Sequence, residues 1–84
     1  MTVTVKLFAT LSGHLPPEAR RSGRVQLELP AGTTVLDLID QLRLPRELCS
    51  LVLVDGLFVG PGQLAVRVLA DGEVLAIWPP VGGG

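Results

Sequence analysis

The chain has 84 residues, 48% of them hydrophobic and 18% charged, with a formal net charge of −1. That apolar content excludes a disordered chain, and the length makes one small domain able to bury roughly 60–68% of its unfolded surface. Seven basic residues stand against eight acidic ones with no block of like charge, which argues against a nucleic-acid partner.

The first residues lack the apolar h-region of a signal peptide, and no stretch approaches the ~20 apolar residues of a membrane span, so a cytoplasmic protein with no membrane partner is expected. Residues 2–10 open with an alternation. Val3, Val5 and Leu7 point one way and Thr2, Thr4 and Lys6 the other, the pattern of a strand with one core face. Phe8 breaks it by falling on the polar side. Residues 12–22 hold Gly13, Pro16 and Pro17 and read as a loop, whose Arg20 and Arg21, with Arg24 beyond, form the one basic cluster, most simply solvated. Residues 24–30 alternate again, with Val25, Leu27 and Leu29 against Arg24, Gln26 and Glu28, and should pair with the first strand.

Residues 33–42 predict a helix. Val35, Leu38, Ile39 and Leu42 make one apolar stripe, Thr34 suits the N-cap, and Asp37 suits the positive end of the dipole. Arg43 suits the last turn and Pro45 forbids continuation. Thr33 and Thr34 are thus better explained as caps than as catalytic hydroxyls. Residues 51–54 form a short apolar strand, Asp55-Gly56 a turn, and residues 57–59 the returning strand. Gly60-Pro61-Gly62 opens a loop, Asp71-Gly72 is another turn, and residues 73–78 make the last strand. Being nearly all apolar, that strand should be paired on both sides.

Cys49 is the one cysteine, so no internal disulfide forms and a reducing compartment fits. With no His or second Cys nearby in sequence, it reads as a small buried hydrophobe rather than a nucleophile. His14 is the one histidine, which leaves no basis for a metal cluster.

One helix covers only one face of a sheet. If Leu75 and Ile77 face the helix, Trp78 joins Phe8 on the open face, with Phe58 beside them. These three would form an exposed apolar patch of the kind that marks a protein interface. After Trp78 come Pro79-Pro80-Val81-Gly82-Gly83-Gly84. The prolines lack amide donors and favour extension, and the glycines have no Cβ to obstruct a narrow channel. Six such residues reach at most roughly 20 Å. The reading is a body over residues 1–78 and a flexible, extended tail over 79–84, which either is a frayed terminus or ends in a reactive group at Gly84.

Several segments in their order resemble the MoaD/ThiS sulfur carriers over essentially the whole chain. They are Val5-Lys6-Leu7-Phe8-Ala9, Pro30-Ala31-Gly32-Thr33-Thr34-Val35, Val52-Leu53-Val54-Asp55-Gly56, Leu69-Ala70-Asp71-Gly72-Glu73-Val74 and the Trp78–Gly84 ending. The Pro-Pro-Val stalk is more similar to the small subunit of molybdopterin synthase than to the thiazole carrier. Asp55 stands where many members have Asn. The resemblance implies an α+β, β-grasp (ubiquitin-like) fold, a mixed sheet of about five strands packed on one helix. It implies a non-catalytic carrier with no tightly bound cofactor. An adenylating enzyme (MoeB/ThiF-like), using ATP and Mg²⁺, would activate Gly84, which then becomes a thiocarboxylate. The tail residues Gly83, Gly82, Val81, Pro80 and Pro79 would give access. Phe8, Phe58 and Trp78 would dock on the large subunit of molybdopterin synthase (MoaE-like) in a heterotetramer, where the sulfur builds the dithiolene of molybdopterin. The same residues also suit a carrier for thiamine thiazole or another thiolation pathway, a ubiquitin-like protein modifier, or a plain binding module with an inert tail. Lys6, the one lysine, would allow self-linked chains only one attachment point.

Overall fold

The structure, a computed structural model, describes residues 1–81. Strand β1 (Thr2–Leu7) buries Val3, Val5 and Leu7 as its alternation requires. It stops short of residue 10 because Ala9, at φ 52°, turns the chain out of the strand. The segment expected as a plain loop instead holds two 3-10 helices, Ala9–His14 and Pro17–Ala19. Leu11, Leu15 and Ala19 recur every four residues there, and all three are buried. That period escapes a search for alternation, and the intervening prolines prevent a continuous α-helix. Strand β2 (Arg24–Glu28) then pairs antiparallel with β1, Val3 opposite Leu27 and Val5 opposite Val25. It ends two residues earlier than expected, though Leu29 still enters the core.

Helix α1 spans Val35–Gln41, shorter than the expected 33–42. Thr34 caps it, and Asp37 does more than suit the dipole. The Asp37 amide donates to Thr34 Oγ1 at 3.1 Å while the Thr34 amide donates to Asp37 Oδ2 at 3.0 Å, a reciprocal box that satisfies two otherwise orphaned donors. Arg43 lies beyond the helix rather than in its last turn. Its φ is 57°, its amide donates to the Asp40 carbonyl at 3.0 Å, and the Leu44 amide donates to the Ile39 carbonyl at 3.1 Å. This is the Schellman pattern, with arginine in the left-handed position that glycine normally fills.

Strand β3 (Leu51–Val54) and the two-residue β4 (Leu57–Phe58) form a hairpin. Asp55 and Gly56 both take positive φ, 50° and 81°, the type I′ geometry that matches strand twist. The loop expected at residues 60–62 is a 3-10 helix, Pro61–Gln63. Strand β5 (Val74–Trp78) pairs with β1 in parallel and with β3 antiparallel, as its apolar sequence led one to expect. The sheet order is β2-β1-β5-β3-β4. Leu75 and Ile77 sit at its centre and pack with Val35, Leu38 and Ile39 of the helix in one core. No helix among the described residues is long and apolar enough to cross a membrane.

The loop before β5 is tied by Arg67, whose Nη2 lies 2.7 Å from Glu73 Oε2, while Glu73 Oε1 accepts the Ala70 amide at 2.7 Å. The hydrogen bond from Arg67 holds the Glu73 carboxyl below its ordinary value and raises that of Arg67. A depressed folded-state pKa means that the unfolded chain takes up the proton first. The bond's contribution is therefore complete above about pH 4.3 and fades as pH falls through the folded value.

Two outcomes follow from these contacts. Arg43→Gly should raise unfolding free energy by about 0.5–1 kcal/mol, since glycine occupies positive φ without the Cβ conflict. Arg43→Ala should give no such gain, and urea denaturation of the pair checks it. Glu73→Gln should cost about 1 kcal/mol at neutral pH, because solvent reaching Arg67 screens the pair. That difference from wild type should shrink below about pH 4 in thermal melts taken across the acid range.

Candidate partner face and tail exit

The strand period of two sets the site. With Leu75 and Ile77 buried under the helix, Val74, Ala76 and Trp78 must point through the other side of the sheet. Register extends that side outward. Leu51 lies opposite Trp78, Leu53 opposite Ala76, and Phe58 opposite Leu53. Phe8 arrives from β1, where its amide donates to the Ile77 carbonyl at 3.2 Å. Its ring stacks on Trp78 with centroids 4.0 Å apart and planes 4° from parallel.

The structure thus brings Phe8 and Trp78 into contact, both half-buried, and places Phe58, 63% exposed, on the same side two strands away. Leu51, 40% exposed, and half-buried Leu53 fill the ground between them. These two leucines were missed in the sequence. The signal lay in β3 itself: with Val52 and Val54 inside, the alternate residues had to face out.

The tail leaves from the end of the central strand, beside this face. The Trp78 carbonyl takes the last ladder bond, from the Ser50 amide at 3.0 Å. Pro79 and Pro80 have no N–H to continue pairing on either side, so the strand ends there for a covalent reason. Pro79 is half-buried, Pro80 is exposed, and Val81 is 87% exposed. Gly82, Gly83 and Gly84 lie outside the described residues.

Other candidate groups have structural roles. Cys49 is half-buried, and its thiol donates to the Pro45 carbonyl at 3.5 Å. Burial pushes its pKa up, against a smaller lowering by Arg46, so the nucleophilic thiolate is scarce at neutral pH. Thr33 is buried with its hydroxyl donating to the Pro30 carbonyl at 2.7 Å, and Thr34 is the helix cap. Among the described residues no group of three or more His, Cys, Asp or Glu side chains gathers as metal ligands.

This arrangement can present an apolar face and an extended chain to another molecule.

The ThiS family profile matches residues 5–84. No curated protein matches the chain. Among solved structures, SAMP1 of Haloferax volcanii is 26% identical, with a TM-score of 0.69 over 100% of both chains. A Pyrococcus furiosus protein described as molybdopterin converting factor subunit 1 is also 26% identical, with a TM-score of 0.64 over 96% of this chain and 99% of the other. A chain from the Helicobacter pylori complex of molybdopterin-converting factor subunits 1 and 2 is 18% identical at a TM-score of 0.60, with 100% of both chains covered, a likeness of fold. The fold is the ubiquitin-like β-grasp, five mixed strands and one main helix.

Trp78→Ala should leave the fold intact and cost about 1–2 kcal/mol, the loss of a half-exposed stack. Leu75→Ala, in the core, should cost about 2–5 kcal/mol. Parallel urea titrations with near-ultraviolet circular dichroism distinguish the two, and a Trp78→Ala loss as large as that of Leu75→Ala would make Trp78 a core residue.

Proposed function

The chain belongs to the ThiS family of ubiquitin-like sulfur carriers, and on that premise we propose that Gly84 carries sulfur as a C-terminal thiocarboxylate for the dithiolene of molybdopterin. The observation that supports this most is the position of the apolar face. Phe8, Trp78, Leu51, Leu53 and Phe58 surround the strand that delivers Pro79-Pro80-Val81, so a partner gripping the face receives the tail at a fixed place. The Pyrococcus furiosus and Helicobacter pylori proteins named above favour molybdopterin over thiazole as the destination, and the second was solved with its subunit 2.

A terminal carboxylate has a pKa near 3.3–3.7 and is a poor electrophile as the anion. In the proposed cycle a carboxylate oxygen of Gly84 attacks the α-phosphorus of ATP on an activating enzyme, expelling pyrophosphate and leaving an acyl-adenylate. The Mg²⁺ belongs to that enzyme. The outer sulfur of a persulfide then attacks the carbonyl carbon and expels AMP. A thiol cleaves the resulting acyl disulfide at its S–S bond, taking the persulfide donor's sulfur into a mixed disulfide and leaving the thiocarboxylate. The loaded carrier docks its Phe8/Trp78 face on the large synthase subunit and passes its tail into that subunit's active site. The thiocarboxylate sulfur bonds to a carbon of the pterin precursor and displaces an oxygen substituent there. Water then cleaves the acyl–sulfur bond to leave the thiol on the precursor and the carboxylate on Gly84, and the carrier recycles.

Here the chain supplies shape. Gly82, Gly83 and Gly84 keep the tail thin, and Pro79 and Pro80 lower the entropy lost on threading. A second reading, a protein modifier joined through Gly84 to lysines, is favoured by the likeness to SAMP1, a small archaeal modifier protein.

Intact mass of the protein made with its activating enzyme and sulfur donor separates these. The carrier reading expects an increase equal to replacing one oxygen by sulfur, absent in a Gly84 deletion and strongly reduced in Gly83→Val. Ladders of higher-mass conjugates would support the modifier, and an unchanged mass with a competent activating enzyme would overturn both.

A further inference from the structure

The basic cluster that reads in sequence as a solvated loop is not dispersed. Lys6, Arg20, Arg21 and Arg24 line one cleft of about 540 Å³, with Phe8 on its rim and no Asp or Glu in its lining. Four of the chain's seven basic residues therefore meet on a protein whose net charge is −1. Lys6 and Arg24 stand directly opposite each other in the β1–β2 register, and like charges so placed destabilise a sheet. Among the described residues no ion pair relieves them. The ion pairs among the described residues are Met1 amine–Glu28 and Arg67–Glu73, both elsewhere. Glu18 lies in the adjoining 3-10 helix but does not line the cleft. The cleft is also held in shape. Arg20 Nε donates to the Leu15 carbonyl at 2.9 Å, and the Leu7 amide donates to the Gly23 carbonyl at 2.9 Å, tying the loop to the end of β1.

Near-neutrality overall hides a division along the strands. At the end where β1 and β5 begin, the Thr2 amide donates to Asp71 at 2.6 Å, the Val74 amide donates to Asp55 at 2.8 Å, and Glu28 lies opposite Thr2. The cations gather at the other end, and since β1 and β5 run parallel, that is the end from which the tail departs.

We propose that this cleft receives an acidic segment of the same protein that grips the Phe8/Trp78 face. The proposal rests on the reading of that face as a partner surface. It is carried by charge complementarity and by continuity, because Phe8 belongs both to the aromatic stack and to the cleft wall. Fixed cations beside an apolar face raise the rate of encounter and orient the partner, and salt screens the effect.

Two measurements test it. In the first, a hexaglutamate peptide is titrated into the ¹⁵N-labelled domain, with inorganic triphosphate in parallel. Peptide shifts should centre on the amides of Lys6, Arg21, Gly23 and Arg24, and binding should weaken at least tenfold in Arg21→Glu/Arg24→Glu. Arg21→Gln/Arg24→Gln, which removes charge at nearly constant size, should fall between. Equal binding by all three proteins, or triphosphate moving the same amides at lower concentration than the peptide, overturns the proposal. In the second, association with the large molybdopterin synthase subunit of the same organism is followed by stopped flow across a salt series. The glutamate variant should associate at least tenfold more slowly at low salt and lose most of the salt dependence. If wild type binds and this variant matches its rate and salt slope, the cleft proposal alone fails. If wild type does not bind, the partner-face reading fails and the shared partner with it.

Discussion

The apolar face and the exit of the tail both depend on the placement of the last strand at the centre of the sheet. β5 is hydrogen-bonded to β1 on one side and β3 on the other, so its five residues have no freedom of register. A one-residue slip would move Leu75 and Ile77 out of the core and drive Trp78 into it. The core's largest fully buried side chains include Leu75 and Ile77 together with Leu7, Leu38 and Ile39. The hydrophobic burial that stabilises the fold is therefore the same energy that aims Trp78 through the opposite face.

That face stays open because one helix of seven residues covers the other side only. Phe8 and Trp78 partly solve the exposure problem by covering each other, so the centre of the patch is ordered before any partner arrives. A pre-stacked pair loses little rotamer entropy on docking, which favours a tight contact from a small area. Phe58, on the two-residue strand β4 that ends the sheet, and Leu51, opposite Trp78 on β3, remain the more exposed members.

The sequence made the strands legible wherever one face was buried and the other polar, as in Val3-Thr4-Val5-Lys6-Leu7. It also located the helix from one apolar stripe and one cap. The boundaries that moved did so for local reasons. Ala9 and Arg43 adopt positive φ without being glycine, which no propensity rule anticipates. Leu11, Leu15 and Ala19 reach the core through 3-10 turns, and their helix-like spacing is masked in sequence by the interrupting Gly13, Pro16 and Pro17. In the site, Phe8 and Trp78 were legible because each is an aromatic on a side set by alternation. Leu51 and Leu53 were not, because a four-residue strand that is apolar throughout shows no polar face, and only pairing with β5 assigns its sides. The basic cleft was hidden for a similar reason: Lys6 is distant from Arg24 in sequence and its neighbour only in register.

Trp78 holds two positions that a looser design would separate. It is the last residue in the ladder, through its carbonyl, and a centre of the apolar face, through its ring. The proposed partner surface and the start of the tail thus share one residue. From Pro79 to Gly84 the chain spans at most roughly 20 Å. A partner that uses both must hold its reactive centre within that distance of its own docking surface. The two prolines make an extended path the easy one, so the usable distance lies toward the upper part of that range. Lengthening the tail by glycines would relax this constraint and dilute the effective concentration of its end. In the proposed cycle, shortening it by one residue would draw its end back from the partner's reactive centre.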